Sequence, residues 1–302
     1  MLYDTIIIGG GITGLSAAIY ASRKKMKFAI IAKEFGGQFF SSGEVLNYPG
    51  IIETTGVEFS KVMEEQMKFN GVNVIEETVS EIKRKKKDFT VITDKKKYDT
   101  KSIIIATGSK PRKLNVPGEI EFANKGVAYC SICDGPIFTG KEVAIIGSGN
   151  SALEAVDFMK DIAKKIYMIV LEEKFNGHKY LIEKVVNNTK VKVIFGAKTK
   201  KIIGEKFVSS IKYEKKGKEH TLDVGGVIVE IGRLPNTEIF KDLVELEGCG
   251  HIKIDCHTNT SVPGIFAAGD CASGHEYQYI IAAGQGVMAL IKAAKYLAAR
   301  KD

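Results

Sequence analysis

Two cysteines three positions apart, with an acid directly after the second, stand at Cys130-Ser131-Ile132-Cys133-Asp134. Thiols at this spacing serve as half of a zinc site, as a small structural disulfide, or as a redox pair cycling between disulfide and dithiol. An acid beside such a pair can hold the proton that a departing thiolate takes up, provided burial raises its pKa. On local chemistry alone Asp134 also reads as a turn residue ahead of Gly135-Pro136.

Whatever chemistry the pair performs must be positioned by the elements around it, and two of these carry glycine loops. Thr5 to Ile8 is a continuous apolar, β-branched run, as expected of a strand buried on both faces. Gly9-Gly10-Gly11-Ile12-Thr13-Gly14 follows as G-x-G-x-x-G, and a helix is predicted from Leu15 to about Ser22. Glycines at this spacing permit a tight turn, close approach to a pyrophosphate and close helix–strand packing, with the helix N-terminus facing the phosphates. The pattern recurs. Val143 to Ile146 is a strand, Gly147-Ser148-Gly149-Asn150-Ser151-Ala152 is G-x-G-x-x-A, and a helix opens over Leu153 to Met159. Two such units in one chain imply two dinucleotides, or a duplicated fold in which the second copy is a structural relic. Three more strand ends carry ligand-type residues: Ser102–Ile105 before Ala106-Thr107-Gly108, Gly225–Ile231 before Gly232-Arg233-Leu234-Pro235-Asn236, and Gly264–Ala268 before Gly269-Asp270. A carboxylate at a strand's carboxyl end sits where open α/β sheets bind ligands, so Asp270 is placed to accept from a sugar-like hydroxyl.

The chain's 302 residues fit about two domains. Five cysteines are too few, and odd in number, for a secreted disulfide scaffold. The N-terminus has no basic leader before a short apolar run, and no later apolar stretch is expected to approach a membrane span of ~18 residues. A soluble, cytoplasmic protein is expected. The net charge of +8 comes from short lysine runs at 83–87, 95–97 and 215–218. These fall between β-like runs such as Phe89–Thr93, where hairpin turns belong. No aromatic residues interleave with the lysines to stack bases, so nucleic acid is not the expected partner; an acidic protein is the better use of the charge.

In order along the chain come GGGITG, Gly36-Gly37-Gln38, Asn47-Tyr48-Pro49-Gly50, ATG, CSICD, GSGNSA, GRLPNT and SVPGIFAAGD. This combination resembles the low-molecular-weight thioredoxin reductase family over nearly the whole chain, and is similar to the flavoprotein core of alkyl hydroperoxide reductases. The resemblance implies an α/β fold of two Rossmann-like dinucleotide-binding domains, with a nicotinamide domain inserted into a discontinuous FAD domain. The expected boundaries are 1–113 and 240–302 for the FAD domain and 114–239 for the insert. Ser109–Arg112 and Leu234–Asn236 are the expected hinges, and the inserted domain is expected to swing. One orientation would set nicotinamide against flavin; the other would set the CxxC pair against flavin and then expose it. A homodimer is also implied.

The resemblance makes Cys130–Cys133 a redox-active disulfide. A zinc site would need a second ligand pair; Cys249, Cys256 and Cys271 form no second CxxC, and His251 and His257 lack finger spacing. A permanent two-residue staple would constrain little of the unfolded chain. The implied path runs from nicotinamide to FAD, then to the disulfide, then by thiol–disulfide exchange to a partner protein. Cys133 is expected next to the flavin and Cys130 to attack the partner, with Asp134 delivering a proton. FAD contacts are expected from Gly9, Gly11, Ile12, Thr13, Gly14, Glu34, Gly37, Gln38, Asn47, Ala106, Thr107 and Gly108, and from Gly269, Asp270, Gln278, Tyr279 and Ile280. Nicotinamide-nucleotide contacts are expected from Gly147, Gly149, Asn150, Ser151, Ala152, Glu172, Gly232 and Arg233. No metal is expected.

Two departures from the family pattern are informative. NADPH-using members carry a basic cluster after the second strand of the insert; here Ile166–Val170 runs into Leu171-Glu172-Glu173-Lys174-Phe175-Asn176. Glu172 lies 23 residues after Gly149, near the roughly 20 expected of an acid that binds ribose hydroxyls. A carboxylate ~4 Å from a 2′-phosphate costs ~1–4 kcal/mol at surface-like dielectric. NADH is therefore expected over NADPH, with Lys174, His178 and Lys179 as the residues able to reverse that. The second departure is Tyr277 before Gln278, where the family usually has a basic residue. The expected activity is a thioredoxin-disulfide reductase, NADH preferred. The alternatives are the same relay driven by NADPH, or by ferredoxin or a deazaflavin, or one serving a peroxiredoxin or glutaredoxin-like partner. The chain starts directly at the FAD strand, so a separate partner is expected.

Overall fold

The computed structural model describes residues 1–41, 44–45, 47–274 and 277–300, and not the side chains of Ser41, Glu44 and Cys133. The chain divides into two compact units, Met1–Lys110 with Leu234–Asp302, and Pro111–Arg233. The breaks fall a few residues before those expected after 113 and 239. At the two passages, Ser109–Pro111 and Arg233–Pro235 pair as a two-stranded ribbon.

The first unit is built on a five-stranded parallel sheet in the order Ile265–Ala267, Ile103–Ile105, Thr5–Ile8, Phe28–Ala32, Val74–Glu76. The glycine-loop strand is central, which explains why all four of its residues are buried. Side chains alternate across the sheet. Ile7, Ile30, Ile104 and Phe266 enter one core with the helices Ile12–Arg23 and Tyr279–Ala299. Ile6, Ile8, Ile31, Ile103 and Ile105 enter a second core with Phe89, Val91 and Phe240. A smaller four-stranded sheet, Leu2–Tyr3, Lys97–Thr100, Phe89–Thr93 and Val79–Arg84, completes the unit. Its turns carry the lysine runs at 83–87 and 95–97, as the hairpin reading expects.

The second unit repeats the plan. Its parallel sheet runs Val127–Ala128, Gly226–Val229, Glu142–Ile146, Lys165–Ile169, Val191–Ile194, again with the glycine-loop strand central. Val143, Ile145, Ile166 and Met168 face one core; Ala144, Ile146, Tyr167 and Ile169 face the other. A three-stranded antiparallel meander, Ala197–Gly204, Val208–Lys215 and Lys218–Asp223, covers the second face. The third lysine run forms its last turn.

One expectation is corrected. The Tyr279–Ala299 helix is long and apolar enough to cross a membrane, by length and composition alone, and is the one such helix among the described residues. Glycine and alanine dominate it, so its apolar character is spread over small residues rather than carried by a bulky run. Its Ala282, Ala283, Gly286, Ala289, Leu290 and Ala293 are buried. Gly286 is the contact with the glycine-loop helix: a Cβ there would lie 2.1 Å from the Thr13 carbonyl oxygen.

Candidate active site

In the first unit the glycine loop is shaped by backbone contacts that leave no room for side chains. Gly9 has φ +126°, and a Cβ on it would meet the Ala106 carbonyl oxygen at 2.1 Å. This brings the Ala106-Thr107-Gly108 segment onto the loop. Gly11 caps the Ile12–Arg23 helix in extended conformation with no side-chain cap, and a Cβ on it would meet nothing within 4 Å. An uncapped helix N-terminus beside open space suits a pyrophosphate. The Gly37 backbone closes against Gly11, where a Cβ would lie 3.2 Å from its Cα. Gly36 N–H donates to the Gly10 carbonyl at 2.9 Å.

Polar side chains tie the remaining segments to this cradle. Gln38 Nε2 donates to the Ser109 carbonyl at 2.7 Å and to Asp270 Oδ2 at 3.2 Å, and Ser109 Oγ donates to the same carboxylate oxygen at 3.2 Å. Thr107 Oγ1 donates to the Asn236 carbonyl at 2.7 Å, and Asn236 Nδ2 returns a bond to the Thr107 carbonyl at 2.9 Å. Asn47 Nδ2 donates to Gln278 Oε1 at 3.2 Å. Gly269 N–H donates to Gln285 Oε1 at 2.7 Å. Tyr279 packs edge-on to Phe39, whereas Ile280 is exposed. Glu34, expected at a ribose, is exposed on the loop whose backbone packs on Gly10. His275 and Glu276, in the segment of the second departure, lie outside the described residues.

The second glycine loop is built the same way within its own unit. Gly147 has φ +145°, and a Cβ on it would meet the Glu230 carbonyl oxygen at 2.2 Å and Ala152 Cβ at 2.9 Å. That crowding explains alanine, and nothing larger, at the last position of G-x-G-x-x-A. Gly149 caps the Asn150–Met159 helix without a side-chain cap. The loop after the next strand is bound to this turn: Asn176 N–H donates to the Ser148 carbonyl at 2.8 Å, and His178 N–H to Asn150 Oδ1 at 2.8 Å. The segment carrying Glu172 is thereby fixed beside the glycine loop, with Ser151 and Glu172 both exposed. Gly232 accepts the Arg112 N–H at 2.9 Å, and Arg233 begins the return strand.

The cysteine pair belongs to the second unit. Cys130 is disulfide-bonded, whereas Cys249, Cys256 and Cys271 are free thiols. The side chain of Cys133, expected next to the flavin, lies outside the described residues. Ser131–Asp134 forms one helical turn, with Asp134 N–H donating to the Cys130 carbonyl at 3.1 Å. Burial raises the Asp134 carboxyl above its ordinary value, the direction that suits a proton donor. The segment entering this turn is anchored by Glu119, which is 1% exposed. Its carboxylate accepts from Leu114 N–H at 2.9 Å, Asn115 N–H at 2.7 Å and Tyr129 Oη at 2.9 Å.

Sequence reasoning missed a second acid here. Glu230 is partly buried at the end of the Gly226–Val229 strand, where burial pushes its pKa up to about 7 against the opposing pull of the Ser131 backbone N–H and Arg233. It therefore joins the cysteine turn to the second glycine loop. The signal was an acid interrupting the apolar run Val227-Ile228-Val229-Glu230-Ile231. Gln285 was missed because it acts on Gly269 from another element, and Glu119 because its role appears only when the chain turns back to bring Leu114, Asn115 and Tyr129 onto one carboxylate. No group of histidines, cysteines and acids able to hold a metal occurs among the described residues.

Two glycine-loop units and a disulfide in one chain are the layout expected of a flavoprotein disulfide oxidoreductase. A family model described as pyridine nucleotide-disulphide oxidoreductase matches residues 3–295, and the chain belongs to that family, whose members use FAD and a pyridine nucleotide. The thioredoxin reductase of Streptococcus pyogenes has a similar structure, with TM-score 0.82 and 35% identity over 99% of each chain. Among curated relatives, an alkyl hydroperoxide reductase component of Staphylococcus aureus is 39% identical over 98% of this chain and 59% of its own. NADH dehydrogenase of Bacillus subtilis is 37% identical over 98% of this chain and 58% of its own. The chain thus spans about three-fifths of the length of the curated relatives it matches.

Proposed function

We propose that this protein takes electrons from NADH and delivers them, through its Cys130–Cys133 pair, to the disulfide of thioredoxin or a thioredoxin-like protein. The observation that carries the reading is the disulfide-bonded Cys130 at the head of a turn bearing Asp134, whose carboxyl burial keeps above its usual range. Bound FAD and nicotinamide supply the two-electron chemistry. The first unit's cradle would hold FAD through Gly9, Gly11 and the Gln38–Ser109–Asp270 group; the second would hold the nicotinamide nucleotide through Gly147, Gly149 and Glu172. The chain's own residues do the rest. Asp134 holds a proton for the sulfur that leaves when the disulfide opens, and the exposed Ile132, between the two cysteines, and Ile137, just after them, offer apolar contacts to a protein partner. Cys130 then attacks the partner's disulfide through a mixed disulfide. Two chain passages set side by side support a swing of the inserted unit between the two stages.

Glu172 on a loop tied to the glycine turn supports NADH, as does the name of the Bacillus relative. The competing NADPH reading rests on His178, held to Asn150 beside the same turn, with Lys174 and Lys179. We further place the protein in the cytoplasm as a homodimer; the exposed Ile52 and Phe69 of the first unit support a self-association face.

The test is an anaerobic titration of the flavin-loaded protein with NADH and with NADPH at equal low concentration, followed by a thiol count. Bleaching by NADH with two new thiols per chain is expected. Equal bleaching by NADPH would overturn the nucleotide assignment. Bleaching without new thiols would overturn the disulfide relay, and bleaching by neither nucleotide would point to ferredoxin or a deazaflavin as donor.

A further inference from the structure

The first unit holds a cysteine–histidine–tyrosine cluster, built on the segment 247–251 and separate from its glycine loop in the sequence. Glu247 N–H donates to the His251 carbonyl at 2.8 Å and Gly250 N–H to the Glu247 carbonyl at 2.8 Å, closing a tight turn. The turn sets Cys249 and His251 side by side. Cys249 is exposed; His251 is 2% exposed. Cys249 Sγ lies 3.2 Å from His251 Nδ1, and His251 Nε2 lies 2.8 Å from the Tyr277 hydroxyl. Glu247 Oε2 is farther from the sulfur, at 3.9 Å.

This is the arrangement of an activated nucleophile: a sulfur, a base in contact with it, and a third group fixing the base. Both tautomers of the ring favour reaction. With Nε2–H donated to Tyr277, Nδ1 accepts the thiol proton. With Tyr277 donating to Nε2, Nδ1–H is donated to the sulfur and stabilises it as an anion. The Glu247 carboxylate opposes negative charge on the sulfur, but from a longer distance than the imidazole acts. The other two free thiols lack this setting. Cys256 is exposed without an imidazole contact, and Cys271 is fully buried, which pushes its thiol pKa up.

We infer that Cys249, with His251 as base and Tyr277 as its orienting group, is a modification site for small disulfides. The Cys249 sulfur attacks one sulfur of R–S–S–R; that bond breaks, a Cys249–S–S–R bond forms, and the departing RS⁻ takes the proton His251 received. The sum is one thiol and one disulfide giving one mixed disulfide and one thiol. The site adjoins the return passage of the chain, because Thr237 Oγ1 donates to the Gly250 carbonyl at 2.6 Å.

The experiment treats the oxidised, flavin-loaded full chain with the uncharged probe 4,4′-dithiodipyridine, follows the released thione, and maps adducts by peptide mass spectrometry. Cys249 is expected to react at least about tenfold faster than Cys256 in the same molecules, with Cys271 protected. His251→Gln is expected to bring Cys249 down to the Cys256 rate, and Tyr277→Phe to an intermediate one. Equal rates at Cys249 and Cys256 in the unmodified protein overturn the proposal, and that comparison holds even where a variant fails to fold. A folded His251→Gln protein with an unchanged rate ratio overturns it as well.

Discussion

Gln38 Nε2 donates to Asp270 Oδ2 at 3.2 Å, joining residues 232 positions apart in the sequence. With Ser109 on the same carboxylate oxygen, this fixes the orientation of the acid at the carboxyl end of the first unit's sheet. The proposed FAD cradle is thus assembled by side-chain bonds between three distant segments.

Asp270→Ala should therefore weaken FAD retention. Losing hydrogen bonds to a charged group is worth roughly 1.5–3 kcal/mol, or about ten- to a hundredfold in affinity. Ultrafiltration of the yellow protein with fluorescence of the released flavin measures it. Retention equal to the parent would remove Asp270 from the cradle.

Cys130→Ser should reduce partner-disulfide reduction to background while leaving flavin bleaching by the nicotinamide nucleotide intact, since transfer from the nicotinamide to the flavin precedes the step that uses the cysteines. An insulin-turbidity assay with an added thioredoxin, alongside ferricyanide reduction, separates them. Loss of both activities would mean that Cys130 also serves the first step.

Glu172→Ser should shift the NADH/NADPH ratio of kcat/KM toward NADPH by roughly one to three decades, the span of ~1–4 kcal/mol of like-charge repulsion. The shift should shrink with added salt, as an exposed charge contact is screened. A ratio that does not move places the discrimination elsewhere on the loop.

Glu230 should make stability depend on pH. In the unfolded chain it ionises at its ordinary value of 4.5, and in the folded chain at about 7. Below about 4.5 the group is neutral in both states and contributes nothing. As pH rises towards 7 the folded state resists ionisation, and the penalty grows to about 3 kcal/mol, constant above. Glu230→Gln should thus be more stable than the parent at pH 8 and equal to it at pH 4. Thermal midpoints across that range decide; a gap independent of pH would show that the carboxyl is not held neutral.

Gly286→Ala should loosen the contact between the Ile12–Arg23 and Tyr279–Ala299 helices. The added methyl meets the Thr13 carbonyl oxygen at 2.1 Å, and backbone cannot yield as a flexible side chain does. Overpacking of this kind costs typically 1–3 kcal/mol. A lowered midpoint, with weaker FAD retention because Thr13 lies in the glycine loop, is the expected result. An unchanged midpoint would mean that the helices separate freely.

Much of this was legible in the sequence because the signals are local. Ile6, Ile7 and Ile8 leading into Gly9 announce a buried strand and phosphate turn within a dozen residues, and Val143–Ala152 does so again. That the loop carrying Glu172 lies beside the second glycine turn was readable from its distance from Gly149. Glu230 and Gln285 were not, since their partners, Ser131 and Gly269, are supplied by other segments that only the folded sheet brings near. The Tyr279–Ala299 helix was undervalued for a related reason. Its small residues carry little hydrophobic weight one by one, and their use becomes plain only against Thr13.

The ribbon formed by Ser109–Pro111 and Arg233–Pro235 has a consequence for how such a chain can change over evolutionary time. Paired strands lie about 4.8 Å apart, so the inserted unit's two ends are neighbours. A unit attached in this way is a cassette. It can be lengthened, shortened or exchanged for another module with adjacent ends while the host sheet keeps its strand order, so the inserted unit and the unit that hosts it are free to diversify at different rates.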